Sequence, residues 1–229
     1  MPFSLKLFGG PSLAGADGPL SGSAPQRRRL ALLALLALSR EATLSRDKLI
    51  GYLWPELDAE RARHNLAVAV HALRAALGDE AISTGGDDVR LDPRVVMCDA
   101  REFESALDRG DIDRACALYT GALLDGVHLG GDAPEFDRWA ERERSRLADR
   151  YASALERLAE ERTGRGQLKE AVEAWRRRVA LDPYSERAAL GLMRALERAG
   201  DRAGAIQHAR MHATLLRADF ESDPDPEVT

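Results

Sequence analysis

The chain has 229 residues, 45% hydrophobic and 31% charged, with a formal net charge of −5, enough for one large or two modest globular domains. Aromatics are only 5%, so the core is built from Leu, Ala and Val, and such a chain, rich also in Arg and Glu, favours helices. The first 97 residues carry 12 Lys/Arg against 11 Asp/Glu and the acid excess falls on the rest; this excludes a general polyanion binder and confines nucleic-acid contact to a local patch in the first part.

"FSLKLF" (3–8) alternates and predicts a short strand. In the turn-rich "GGPSLAGADGPLSG", "SL" and "PLS" predict minor strands of a small antiparallel sheet. "QRRRLALLALLAL" then sets three arginines before nine apolar residues. It starts too far from residue 1 for a signal peptide, and a bilayer span needs about twenty residues. The run predicts a helix from Gln26 to Ser39 with one long side buried. Its arginines sit at the helix N-terminus, the wrong end for the dipole. Phosphate contact by Arg27 and Arg28 is one reason for that placement; a solvated charge run is the other. "TLSRDKLIGYLWP" predicts a second helix, with Ser45 as N-cap, Leu49, Ile50 and Leu53 inward and Pro55 at its end. Asp58 caps a third helix that Gly78 terminates near residue 77. "AIST", "GGDD" and "VRLD" predict a hairpin. Small sheet, three helices and hairpin is the layout of a winged helix-turn-helix.

The remainder is expected to be helical throughout. "REFESALDRGDIDRACALYTGALL" predicts a helical hairpin broken at Gly110, and Pro134 opens a long helix to about Arg162, with Asp132 as its cap. Three further helices follow, and the acidic tail "ESDPDPEVT" is expected to fray. Gly166 and Gly200 are 34 residues apart, as are Ala171 and Ala205; Gly110 and Ala115 repeat the five-residue offset, and Pro183 follows Gly166 by 17. That is a tetratricopeptide pattern: glycine for the tight turn, small alanine for close helix approach, proline to stop the second helix.

On the third helix, Ala62, Leu66, Val70, Leu73 and Leu77 form one side. Arg61, His64, Asn65, Val68, His71 and Ala72 lie opposite, with Arg63 and Arg74 flanking the buried side. Arg61, Asn65 and His71 could read base edges while Arg63 and Arg74 extend to phosphates. Against this, Ala67, Ala69 and Ala72 offer no hydrogen bonds, and Asp87 and Asp88 at the hairpin tip would repel phosphate. Two readings stand: a DNA reader, or a protein–protein interaction module whose repeat groove takes a partner segment.

Chemistry is not expected. His208 and His212 have metal-pair spacing but no third ligand, and are expected to be surface or groove residues; His128 lies in a loop without an evident partner. Cys98 and Cys116 are expected to be free thiols of a reducing cytoplasm. There is no GK[ST] phosphate loop and no GxSxG, and the carboxylates have the spacing of helix surfaces. Neither enzyme activity nor a cofactor is expected.

With these segments located, nearly the whole chain resembles the bacterial transcriptional activator domain family, which includes SARP-type regulators. "QRRRLALLALLAL", "LSRDKLIGYLWPE", "ARHNLAVAVHALRAALGD" and "VRLDP" are similar to its OmpR-like winged helix. "DAREFESAL", "ALYTGALLDGVHL", "EFDRWAERERSRL", "ALDPYSERAALGLMRAL" and "DPDPEV" are similar to its helical activator domain. The resemblance implies a mainly α protein: an OmpR-like winged helix-turn-helix at 1–97, then an all-α tetratricopeptide-like domain at 98–229. It implies binding to repeats in double-stranded promoter DNA, recruitment of RNA polymerase, and a helical part used for homodimerisation, partner contact or sensing. By analogy Asn65, Ala67, Ala69, His71 and Ala72 face the groove. The chain departs from many such helices in having Ala at 67, 69 and 72, and its wing reads "GGDDV" where Arg-Gly-x-Gly-Tyr is frequent.

Overall fold

The computed structural model describes residues 2–20 and 26–220. The acidic tail 221–229 and the Asp132 side chain, expected as a helix cap, lie outside the described set. Two compact units divide the chain: residues up to 110 with 117–147, and 111–116 with 148 onwards.

The first unit begins with strands β1 (Phe3–Lys6), β2 (Ser12–Gly15) and β3 (Gly18–Pro19). Helix α1 (Arg27–Leu38) follows, then β4 (Thr43–Ser45), α2 (Arg46–Leu53) and α3 (Ala59–Leu77). Strands β5 (Ile82–Gly85) and β6 (Asp88–Leu91) form the hairpin, and β7 (Val96–Cys98) precedes α4 (Asp99–Asp108). One sheet has the order β3-β2-β1-β7, the other β4-β6-β5. Two strands were not expected from the sequence. Thr43–Ser45, expected as the entry to a helix, pairs antiparallel with β6, Leu44 opposite Val89. Val96–Cys98 pairs parallel with β1, Leu5 opposite Cys98. The boundary expected at 97/98 therefore falls within a strand.

Helix α1 is buried on every side rather than one: no residue from Leu30 to Ala37 is more than 6% exposed. A helix apolar all round has to be enclosed, and α2, β4, β6 and α4 supply the enclosure. Its C-terminal end is closed by Arg101, whose Nη1 donates to the Ala37 carbonyl at 3.1 Å, a cation where the dipole is negative. Ser45 caps α2 through a long 3.4 Å bond from the Lys48 N–H, and Leu49 and Leu53 are buried while Ile50 is only partly so.

Asp99 joins β1 to α4. Its carboxylate accepts from the N–H groups of Leu7 at 2.7 Å, Phe8 at 3.2 Å and Ala100 at 2.7 Å. Burial pushes the carboxyl above its usual range, and the three N–H donors oppose that rise. Beyond β1, the chain pairs with 120–125, a stretch that is not helical. The Leu124 N–H donates to the Leu7 carbonyl at 2.7 Å and the Gly9 N–H to the Ala122 carbonyl at 2.9 Å. Leu124 holds φ +52° while fully buried, a strained conformation kept by this pairing.

Helices α5 (Ile112–Leu118) and α6 (Pro134–Gly164) contribute residues to both units. In the second unit α7 (Leu168–Leu181), α8 (Glu186–Arg198) and α9 (Arg202–Phe220) complete the repeats. The ends of α6 and α8 are built alike. Gln167 N–H donates to Arg162 O at 2.8 Å and Gly166 N–H to Thr163 O at 3.0 Å. Asp201 N–H donates to Leu196 O and Gly200 N–H to Glu197 O, both at 2.9 Å. Each is a Schellman closure, with Gly166 at φ +73° and Gly200 at +84°. Gly110 after α4 also has positive φ, +78°. Ala115, Ala171 and Ala205 are all buried, 4% exposed at most. Pro183 lies between α7 and α8, and its carbonyl is 3.1 Å from His212 Nδ1.

His208 and His212 are expected at a surface or groove; both are buried, 8% and 1% exposed, with His208 in the wall of an open depression beside Gln207 and Met211, and among the described residues neither Nε2 atom has a partner. The reason is a stripe of α9, Ala205, His208, His212 and Leu216, that faces its neighbours. Among the described residues no helix is long and apolar enough to cross a membrane, and no group of three or more ligating side chains could hold a metal.

Two expectations follow. Asp99→Ala leaves N–H groups without an acceptor and should lower stability by about 2–3 kcal/mol, read by urea unfolding, with Asp99→Asn losing less. Burial, then His212, holds the His208 imidazole below its usual value. The unfolded chain therefore takes up a proton that the folded chain resists, so stability is full above about pH 6.5 and falls as pH drops below it. Thermal melts between pH 8 and 5 should show this decline, and His208→Gln should flatten it.

Candidate nucleic-acid interface

Helix α3 is set by its two ends. Asp58 Oδ1 accepts from the Arg61 N–H at 3.0 Å, and Gly78 leaves the helix at φ +92°. Between them Ala62, Leu66, Ala69, Val70, Leu73 and Leu77 are buried, and α2 packs against the helix. Ala69 is 4% exposed, so the expectation that it faces a groove is overturned. It belongs to the same inward stripe as Leu66 and Leu73, at helical spacing.

The opposite side is open. Arg61, Arg63, His64, Ala67, Val68 and His71 are exposed, while Asn65 and Ala72 are half-buried. Val68, 45% exposed, is an apolar residue in the middle of this face. Arg61 makes a 3.4 Å ion pair with Asp58, both side chains well solvated. Arg63 pairs with no carboxylate among the described residues. An open depression at the start of the helix is lined by Asp58, Glu60, Arg61, His64 and Asn65, so acid and base mix there.

Arg74 does not extend outward. Its Nε donates to the Ile82 carbonyl at 2.7 Å and its Nη2 to Thr84 Oγ1 at 3.1 Å, which ties α3 to the first strand of the hairpin. Arg28 is also held: Nη2 lies 3.4 Å from Glu56 Oε1, and the guanidinium 6.0 Å from the Trp54 ring centroid. Arg27 is exposed. The hairpin turns at Gly86, φ +57°, with Asp87 and Asp88 exposed. The Asp87 carbonyl accepts from the Arg46 N–H at 2.7 Å, which fixes the tip to the start of α2. Arg90, on the solvent side of β6 between buried Val89 and Leu91, was missed as a candidate cation; the alternation of "DVRL" carries the signal. The Glu56 and Thr84 anchors have no signal in the sequence, being 28 and 10 residues from the arginines they hold.

Cys98 and Cys116 are buried free thiols. Burial pushes them to about 12 and about 11, which removes the thiolate needed for reactivity.

A helix-turn-helix with a wing, an outward third helix bearing arginine, and a following run of helical repeats define the class of a transcription regulator. Comparison with known proteins agrees. The profile described as bacterial transcriptional activator domain matches residues 97–229, and that described as transcriptional regulatory protein, C terminal, matches residues 24–85. The chain belongs to the bacterial transcriptional activator domain family. No curated protein sequence matches it. Among solved structures it is similar to Mycobacterium tuberculosis EmbR, seen in complex with a low affinity phosphopeptide, with a TM-score of 0.71 and 21% identity. The match covers 99% of this chain and 62% of that chain, and at this identity the likeness speaks for the fold.

Arg74→Ala should loosen the hairpin and cost about 1–3 kcal/mol, because two bonds to a charged group are lost and the Ile82 carbonyl loses its donor. Faster hydrogen exchange confined to β5 and β6 would be the signature.

Proposed function

We propose that the chain regulates transcription by binding double-stranded promoter DNA through α3, and that it acts as an activator. The carrying observation is the outward face of α3, where Arg61, Arg63, His64, Val68 and His71 are exposed and Asn65 is half-buried. Arg61, Asn65 and His71 suit base edges, Val68 suits a thymine methyl, and Arg63 suits a phosphate. Arg27 and Arg28 add phosphate contacts from the start of α1. Arg74 acts from behind, by holding the hairpin. The helical repeats mediate homodimerisation or contact with a partner such as RNA polymerase. Dimerisation matters here because Ala67 and Ala72 leave each half-site few specific bonds, and two linked half-sites multiply modest affinities. No cofactor enters this account, and the cytoplasm is where it operates.

One observation favours the second reading, an interaction scaffold without DNA reading: Asp87 and Asp88 are both exposed at the wing tip, where phosphate would be repelled. The decisive experiment is a titration of DNA from upstream of the gene at two salt concentrations. The Arg61→Glu, Arg63→Glu double variant should bind at least tenfold more weakly, with a plot of log K against log salt shallower by about one for the lost Arg63 phosphate contact. Unchanged affinity in this variant removes α3 from the interface and leaves the scaffold reading.

A further inference from the structure

The second unit contains a groove of about 630 Å³ between the last turns of α6 and one face of α8, lined among others by Glu160, Trp175, Arg187, Gly191, Arg194 and Arg198. The four α8 positions recur at intervals of four, three and four, so they share one side of the helix. Gly191 is the centre of that side. A Cβ there would lie 2.4 Å from the Trp175 ring, so the indole rests against the bare helix backbone and forms an apolar floor. Arg194 and Arg198 are exposed. Arg187 reaches Glu156 at 2.7 Å yet keeps a side chain 76% exposed, with donors to spare on its guanidinium.

At about 1.5 Å of rise per residue the three arginines span about 16 Å. An extended peptide covers that length in about five residues, and its same-side side chains recur about every 6.6 Å. Carboxylates four residues apart, with an apolar side chain midway between them, share one face of such a strand, so the carboxylates come within reach of Arg187 at one end and of Arg194 and Arg198 at the other while the apolar group comes over the indole. The groove lining sets three arginines against Glu160, and Glu156 pairs with Arg187 at 2.7 Å, which leaves the lining a net positive charge. Outside it the balance reverses, because residues 98–229 hold 21 Lys/Arg against 27 Asp/Glu. A duplex, with phosphates spread over a wide surface, would meet that acid surround, whereas a single extended strand meets only the groove.

We propose that this groove docks an extended acidic segment of a partner protein, with same-side carboxylates on Arg187 at one end and on Arg194 and Arg198 at the other, and the apolar residue between them on Trp175. This deepens, and rests on, the reading of the helical repeats as the partner-contact part. Its test uses no DNA, so either can fail without the other.

The probe is a labelled synthetic peptide, Asp-Asp-Leu-Ser-Asp-Ser-Asp, titrated into the full chain by fluorescence anisotropy. Binding should weaken with salt and vanish when the four Asp become Asn. Arg194→Glu with Arg198→Glu should weaken it at least tenfold, Arg198→Gln several-fold, and Arg210→Glu, on the exposed side of α9, not at all. Circular dichroism confirms that each variant is folded. Absence of binding to the folded chain at millimolar peptide overturns the proposal, as does equal binding by the arginine variants. An oligonucleotide that displaces the peptide through the same arginines makes the groove a nucleic-acid site instead. A chain ending at residue 220 that binds the peptide tenfold more tightly identifies the protein's own acidic tail as the occupant, which overturns the assignment to a partner.

Discussion

The eight residues from Leu30 to Ala37 leave no side of α1 facing water, and the first unit is arranged around that demand. A helix of this kind cannot lie on the surface of a core; it has to be its axis. Burying Leu side chains is worth about 1.5–3 kcal/mol each, and five of the eight are Leu, so this is the largest single block of apolar burial in the unit. The enclosing elements, α2, β4, β6 and α4, are all short. Each can cover only part of α1, and together they leave α3 to pack on α2 with its far side in solvent. The exposure of Arg61, Arg63 and His71 is in that sense a consequence of how α1 is wrapped.

The cations around α3 are not equivalent, and their hydrogen bonds rank them. An ion pair between well-solvated groups contributes about 0–1 kcal/mol, so Asp58 holds Arg61 weakly, and a phosphate can displace it. Arg28 has Glu56 on one side and an indole below, both partly shielded, and gives up more on moving. Arg74 donates to a backbone carbonyl that has to be satisfied and is committed to the fold. Arg63 has the least to give up. A sequence shows all four as the same residue type near a helix; only their partners separate them.

What the sequence made legible is local. Asp58 and Gly78 bracket α3, the hairpin turns at Gly86, and the glycines 34 residues apart close α6 and α8 with the same two hydrogen bonds. Each of these is decided by φ, by a cap or by periodicity within a few residues. What stayed hidden is non-local. Strand β7 exists because Val96–Cys98 finds β1, more than ninety residues away, and β4 because Thr43–Ser45 finds β6. The stretch 120–125 reads as helix but is drawn straight along the end of β1, even at a positive φ for Leu124. Ala69 and Ala72 look alike in sequence, yet one is buried and the other half-open, because three residues turn a helix by about 300°. The burial of the histidine pair is hidden for a related reason. In an Ala-rich helix the apolar stripe is faint, and His208 and His212 fall on it by spacing rather than by polarity.

These two kinds of information bear differently on recognition. The framework that aims α3 depends on long-range burial, which tolerates many apolar sequences of similar volume. The chemistry on the outer face depends on single side chains, and here two of the relevant positions, 67 and 72, are alanine. A helix so sparse in hydrogen-bonding tips gains specificity from what surrounds it. In the proposed DNA complex, phosphate clamps fix its register, shape complementarity sets its depth, and a second half-site supplies the affinity that one cannot. The same logic applies to the proposed docking on the helical repeats, whose overall acidity discourages polyanions while the arginine-lined face of α8 suits a narrow acidic strand. In both units the selective feature is a local reversal of the surrounding charge or polarity, carried by a helix whose other side is fixed by packing.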